Sequence, residues 1–266
     1  MSPTEDEVLR HGELTVEGRL REASNTTLLA VATLDGVSIP CVYKPRRGER
    51  PLWDFPSGTL GYREVAAYAL AQRLGWGLIP TTLWRDDAPL GPGMCQSWVH
   101  AGDVAPVDVI PTEQVPPGWK IVAEGDSYDG AAVSLAHEDA ADLRRLALFD
   151  ILANNTDRKG GHVLRTEEGQ LYGIDHGLTF HEDDKLRTVL WGWAGSRLAA
   201  DERDELSVLR GHLGETADDA VEAVADLGRL SGAEVRALLV RLETLCRAGR
   251  FPDSRGAWPA LPWPAM

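Results

Sequence analysis

Apolar and polar positions alternate over residues 14–20, the period of a half-buried strand. A second strand is predicted over 27–34 and a third over 37–44, joined by the hairpin turn Asp35-Gly36 and halted by Pro45. Residues 1–12 are polar and are expected to fray. Arg21 to Asn25 is turn material, and 46–61 is a loop with Pro and Gly. The spacing of Val65, Ala66, Ala69, Leu70 and Leu74 predicts a helix over 62–74, with Glu64 in its first turn and Gly75 as its stop. Two more strands are expected over 81–85 and 94–99, split by the turn 89–93. Residues 100–135 read as a connection with one short strand over 120–123. A helix over 138–153 buries Leu143, Leu146, Ala147, Phe149, Ile151 and Leu152. Val163-Leu164 and Leu171-Tyr172 flank the turn Glu167-Glu168-Gly169 as a hairpin. Helical patterns follow over about 201–212, 216–229 and 232–248, the last with Ser231 as N-cap and Glu234 as its capping-box partner. From Phe251 the tail is an irregular strap. No internal repeat is found.

This order gives an α+β chain with a small N-terminal antiparallel sheet lobe and a mainly helical C-terminal lobe. The expected division is a flexible 1–12, an N-lobe over 13–99 and a C-lobe over 100–266. At 266 residues the chain is long enough for a large core. The formal net charge of −14 opposes binding to duplex nucleic acid or an anionic membrane. Arg supplies almost all positive charge; the lysines are Lys44, Lys120, Lys159 and Lys185. A Lys inside an apolar strand is therefore informative. Cys41, Cys95 and Cys246 lack metal-ligand spacing and read as buried thiols. No apolar stretch is long enough to span a bilayer, and no signal peptide or lipidation motif is seen, so the cytoplasm is the default expectation.

Polar chemistry concentrates in Asn154-Asn155-Thr156-Asp157-Arg158-Lys159-Gly160-Gly161-His162 and in Ile174-Asp175-His176-Gly177. Either segment alone is also a turn built on local hydrogen bonds. The intervening hairpin would fold Asp175 back beside Asp157, and two converging carboxylates suit a divalent metal and a phosphoryl group. Phosphoryl transfer also needs a cation on the phosphates and a partner to aim it. Lys44 at the end of the third strand suits the first role, although a strand-end Lys also reaches water. Glu64 on the next helix suits the second, although a first-turn acid also answers the helix dipole.

In these segments the chain resembles the phosphatidylinositol 3-/4-kinase-like and HipA-like branch of the kinase superfamily and, more closely, an actinobacterial family related to that branch. The matching residues are Val42-Tyr43-Lys44-Pro45, then Arg63-Glu64-Val65-Ala66-Ala67, then Asp150 through Lys159, then Ile174-Asp175-His176-Gly177-Leu178, over roughly residues 14–182. The resemblance implies a two-lobed protein-kinase-like fold, ATP as nucleotide, and Mg²⁺ or Mn²⁺. It implies that Asp157 orients or deprotonates the acceptor and that Asp175 binds the metal. Lys44 would contact the phosphates and pair with Glu64, and Asp150 would brace the loop. Gln96, Ser97, Trp98 and Val99 would form the hinge meeting adenine, while Ser24, Asn25 and Thr26 would face phosphate in place of a glycine-rich loop.

The chain departs from the pattern in three ways. No G-x-G-x-x-G is present, which sets it apart from ordinary protein kinases. No basic segment of the kind that docks inositol lipid headgroups follows Phe180. His162 stands at the metal-binding Asn position. As a ligand, its nitrogen would favour Mn²⁺ over Mg²⁺, and metal binding would fall as it protonates at about pH 6 to 7. The alternative is that His162 only hydrogen-bonds the loop.

The leading expectation is an ATP-dependent kinase acting on a protein Ser/Thr or a small polar acceptor. The alternatives are a nucleotide-binding pseudokinase that regulates a partner protein, and transfer of AMP on the same fold.

Overall fold

The computed structural model describes residues 2–20, 25–254 and 259–266. Thr4 and Glu7 form a reciprocal capping box that starts helix α1 (Glu5–His11). Val8 and Leu9 on α1 are fully buried against the sheet that follows. The expectation of a frayed N-terminus is thus corrected. Two adjacent apolar residues in a seven-residue helix are too few to create a visible period, while Glu5, Asp6 and Glu7 favour its N-terminal end through the helix dipole. Arg85 closes the other end, donating to the carbonyls of Leu9 and Gly12 at 3.1 and 2.7 Å.

Strands β1 (Glu13–Arg19), β2 (Leu28–Leu34) and β3 (Val37–Pro45) form the expected meander. The turn residues Asp35 and Gly36 both take positive φ, as a two-residue hairpin demands. Helix α2 (Leu60–Leu74) starts two residues before the expected position, and β4 (Thr82–Arg85) and β5 (Gly93–Ser97) complete an antiparallel sheet in the order β1-β2-β3-β5-β4. Strand β5 ends at Ser97, so Trp98 and Val99 lie outside it. Lys44 on β3 stands opposite Met94 on β5.

Residues 107–137 form a second sheet, of β6 (Val107–Pro111), β7 (Lys120–Asp126) and β8 (Ala132–His137), in the order β6-β8-β7. Only part of β7 was expected. The outer strands β6 and β7 are largely solvated and lack an apolar alternation, while β8 carries the buried residues Leu135 and Ala136. Helix α3 (Ala141–Ala153) begins three residues later than expected, because Glu138 pairs with Arg165 and Asp139 accepts from Trp193. The hairpin β9 (Val163–Arg165) and β10 (Leu171–Gly173) follows, as predicted.

Helices α4 (Ala200–Leu213), α5 (Ala217–Ala223) and α6 (Gly232–Ala248) complete the helical region. The single helix expected over 216–229 breaks at Val224, which is extended, and the chain continues as a 3-10 turn over Ala225–Arg229. The break lets Val224, Leu227 and Leu230 enter the large core. Ser231 and Glu234 form the expected capping box on α6. The tail laces the surface: the Ala260 carbonyl accepts from Thr188 and Trp191, and the Ala265 carbonyl from Gly160.

The architecture is therefore α+β, an N-terminal antiparallel sheet followed by a mainly helical region. Helix α2 belongs to both parts. Val65 packs with Trp84 and Met94 of the sheet, while Ala66, Ala67, Leu70, Ala71 and Leu74 join the core built on α3, α4 and α6. Among the described residues no helix is long and apolar enough to cross a membrane.

The burial of α1 predicts that Leu9→Ala costs about 2–5 kcal/mol, the usual cost of truncating a core leucine. Denaturant unfolding checks this; a loss under about 0.5 kcal/mol, typical of an exposed site, would return the segment to a frayed state.

Candidate active site

Helix α3 ends at Asn154, whose positive φ of 51° makes a left-handed cap. Its side-chain amide donates to the carbonyls of His181 and Asp183 at 3.0 and 2.6 Å. Asn155 donates to Asp150 at 3.0 Å and accepts from the Asp157 backbone N–H at 3.0 Å. The two asparagines thus build the turn, and the turn presents Asp157.

Beneath it, Arg158 and Asp150 form a fully buried ion pair, with Arg158 Nε 3.0 Å from Asp150 Oδ2 and Nη2 3.0 Å from Oδ1. The same guanidinium donates to the carbonyls of His162 and Ile174 at 3.2 and 2.7 Å, and lies 2.7 Å from His176 Nε2. Burial and the facing Arg158 hold His176 well below the ordinary histidine range, so its ring is neutral and accepts from Arg158. Asp150 therefore braces the loop, as the resemblance implied.

Asp175 follows β10 with a φ of 57°, a left-handed conformation uncommon for a non-glycine residue. Its half-exposed carboxylate meets Lys44, with Nζ 2.9 Å from Oδ1. Lys44 Nζ is also 2.8 Å from Glu64 Oε1. Burial pulls the Lys44 ammonium down, but Asp175 and Glu64 outweigh it and hold the lysine above its ordinary value. Lys44 in turn holds Asp175 well below the carboxylate range. Glu64 is nearly inaccessible, and burial pushes its carboxyl up to about 7 against the pull of Lys44. Its Oε2 is buried without a partner among the described residues.

These groups line one cleft of about 330 Å³, together with Asp157, Asn25 and Thr26. Burial raises the Asp157 carboxyl above its ordinary value, opposed by Lys159, whose Nζ is 3.4 Å away. Ser24 lies outside the described residues. Gln96, Ser97, Trp98 and Val99 do not line this cleft. The Gln96 amide is buried on Thr82 at 2.7 Å, and Ser97 is hydrogen-bonded to Glu5 of α1. Ser97, Trp98 and Val99 instead border a separate hollow of about 400 Å³, with Glu5, Thr81 and Tyr172.

His162 stands behind Asp175, its Nε2 3.5 Å from Asp175 Oδ2. Burial lowers its pKa to about 4, well under the value assumed for an exposed ring, so the expected acid limb at about pH 6 to 7 moves down. Its Nδ1 is buried without a partner among the described residues. A neutral imidazole beside an ionised carboxylate is a competent donor pair. Among the described residues no group of three or more His, Cys, Asp or Glu is placed to hold a metal. The pair suits a divalent ion that completes its shell with water and phosphate oxygens, the imidazole nitrogen favouring Mn²⁺ over Mg²⁺.

Three features of the site were not read from the sequence. Glu49 accepts from the N–H groups of Leu60 and Gly61 at 3.2 and 3.0 Å and so caps α2 inside the cleft. Arg63, next to Glu64, is buried on the opposite side, donating to Thr179 O at 2.7 Å and pairing with Glu234. Lys185 is held by Asp54 and His181 at 3.3 and 3.1 Å, which ties the loop before α2 to the segment after Asp175. None of the three had a local signal; even Glu49 lies eleven residues ahead of Leu60.

Two outcomes follow from this geometry. Asp150→Ala leaves Arg158 as an uncompensated buried charge and should cost about 3–5 kcal/mol, read by denaturant unfolding. A cost below about 1 kcal/mol would mean that the loop does not rest on this pair. The second outcome concerns His162, which takes its proton at about 4 in the folded chain and at the ordinary value of 6.5 when unfolded. Its stabilising contribution is full above pH 6.5 and is lost as pH falls toward 4, up to roughly 3 kcal/mol. Unfolding of His162→Asn across that window should lose less stability than the parent chain; parallel curves would place the ring in solvent.

No family model matches the chain. It is 46% identical over 272 residues to the Protein Rv2133c of Mycobacterium tuberculosis, an alignment covering 98% of this chain and 95% of that protein. Among solved structures, the Helicobacter pylori proinflammatory kinase CtkA aligns with 91% of this chain and 94% of its own, at 12% identity and a TM-score of 0.45.

Proposed function

The chain belongs to the family of the mycobacterial Protein Rv2133c, and we propose that it is an ATP-dependent phosphotransferase of the phosphatidylinositol 3-/4-kinase-like and HipA-like branch. Its acceptor is a hydroxyl, on a protein Ser/Thr or a small polar molecule. The observation that carries the reading is the Lys44 ammonium held within 2.9 Å of two carboxylates from different elements, in a cleft shared with Asp157. Lys44 and Glu64 make the cation and the partner that aims it; Asp175 and Asp157 make the two acidic roles of phosphoryl transfer.

In this reading the arriving phosphates compete with Asp175 for Lys44, and Glu64 keeps the ammonium aimed into the cleft. Asp175, once free of Lys44, and His162 are the residues that would hold Mg²⁺ or Mn²⁺. When bound, the metal neutralises the charge that develops on the phosphate oxygens. Asp157 accepts the acceptor's hydroxyl proton as the oxygen bonds to the γ-phosphorus. The bond from that phosphorus to the β–γ bridging oxygen breaks, and ADP leaves with the electron pair. The raised pKa of Asp157 helps it hold the proton. A second reading, a nucleotide-binding regulator without transfer, is favoured by the Lys44–Asp175 contact, which engages one oxygen of the carboxylate assigned to the metal, and by His162 at the Asn position of the branch pattern.

Incubation with γ-labelled and α-labelled ATP, with Mg²⁺ or Mn²⁺, tests the reading. Label should move to an acceptor or to the chain itself from the γ position; transfer from the α position would mean AMP transfer, and binding without transfer the regulator. Asp157→Asn should lower transfer by about 10²- to 10⁴-fold and leave ATP binding intact. Lys44→Ala and Asp175→Asn should weaken binding as well. If all three bind and turn over like the parent chain, this cleft is not the active site.

A further inference from the structure

We infer that Arg50 is a nucleotide-phosphate contact in this cleft, taking the outer phosphates of ATP in place of a glycine-rich loop. The inference rests on the phosphotransferase reading above and names a residue that the motif resemblance does not reach.

Among the described residues the cleft is lined by four carboxylates, from Glu49, Glu64, Asp157 and Asp175, and by two cations, Lys44 and Arg50. A nucleotide triphosphate adds further negative charge and needs donors that are not already committed. Lys44 is shared between Glu64 and Asp175. Arg50 is not shared: among the described residues its guanidinium makes no hydrogen bond, ion pair or ring contact. Three arginines on neighbouring elements are engaged. Arg46 lies over the Tyr62 ring, Arg63 pairs with Glu234, and Arg158 pairs with Asp150.

Position supports the same conclusion. The backbone N–H of Arg50 donates to Asn25 Oδ1 at 2.8 Å, and the N–H of Thr26 donates to Gly48 O at 3.1 Å. Gly48 approaches so closely that a Cβ there would collide with Thr26. Asn25 and Thr26 ahead of β2 and the loop after β3 are thus fastened into one wall, and Arg50 stands at a fixed point on it. Arg50 lies six residues beyond Lys44 on the same wall, which places it with the phosphates that Lys44 meets in the proposed reading. A guanidinium fork also matches two phosphate oxygens at once.

The test measures the affinity of the full chain for ATP, ADP and adenosine, with Mg²⁺ or Mn²⁺, in the parent, Arg50→Ala, Arg50→Lys and Lys44→Ala; circular dichroism confirms that each variant folds. Arg50→Ala should lose about tenfold or more in ATP affinity, less for ADP and nothing for adenosine. Arg50→Lys should recover part of the loss. Equal ATP affinity in Arg50→Ala and the parent, with Lys44→Ala weakened, overturns the role of Arg50 and leaves the phosphotransferase reading standing. A loss for adenosine as large as for ATP also overturns it. A parent chain that binds no nucleotide ends both.

Discussion

One buried cation holds the site together. Arg158 has no contact with solvent, and its guanidinium is satisfied by Asp150, two carbonyls and a neutral imidazole. A charge so deep is tolerable only when every donor is answered. The four partners come from α3, the loop after it, the end of β10 and the turn beyond Asp175. Each of those segments is positioned by the need to satisfy the same group. The loop that presents Asp157 and the turn that presents Asp175 are therefore one mechanical unit, and neither can shift without stranding a charge.

Helix α2 extends that unit to the sheet. Successive helix residues point about 100° apart, so Arg63 and Glu64 cannot face the same neighbour. Glu64 reaches Lys44 on β3, while Arg63 reaches Thr179 and Glu234. Glu234 also caps α6 by accepting from Ser231 at 2.8 Å. One turn of α2 thereby connects the strand that carries the lysine with the start of the last helix. The small size of Ala66, Ala67 and Ala71 lets the helix lie close to the large core.

The elements with a clear period were legible in the sequence. The Asp35-Gly36 hairpin, the apolar faces of α2 and α3, and the capping box on α6 all depend on residues within a few positions of one another. That Lys44, Glu64, Asp157 and Asp175 meet in one cleft was legible because residue type and order restrict which groups converge. What escaped was short, solvated or long-range. Helix α1 has only two apolar residues to declare itself, and β6 and β7 face water. The partners Arg63 and Glu234 are 171 positions apart, so no window along the chain links them. The segment 96–99 had a strand pattern and a role implied by resemblance, but strand pairing ends at Ser97 and the side chains turn toward α1.

The surplus of carboxylates around the cleft also governs how fast a polyanion can arrive. The chain carries a formal charge of −14, so at low ionic strength a phosphorylated ligand climbs a repulsive field before it reaches Lys44. Added salt shortens the range of that field and speeds the encounter, since the Debye length falls to about 8 Å at 0.15 M. A phosphorylated ligand docked there would be held by close contacts that salt screens far less. Under the proposed function, association would thus be tuned by the ionic medium and residence by the wall of the cleft, two quantities that a protein with a basic face would see move together.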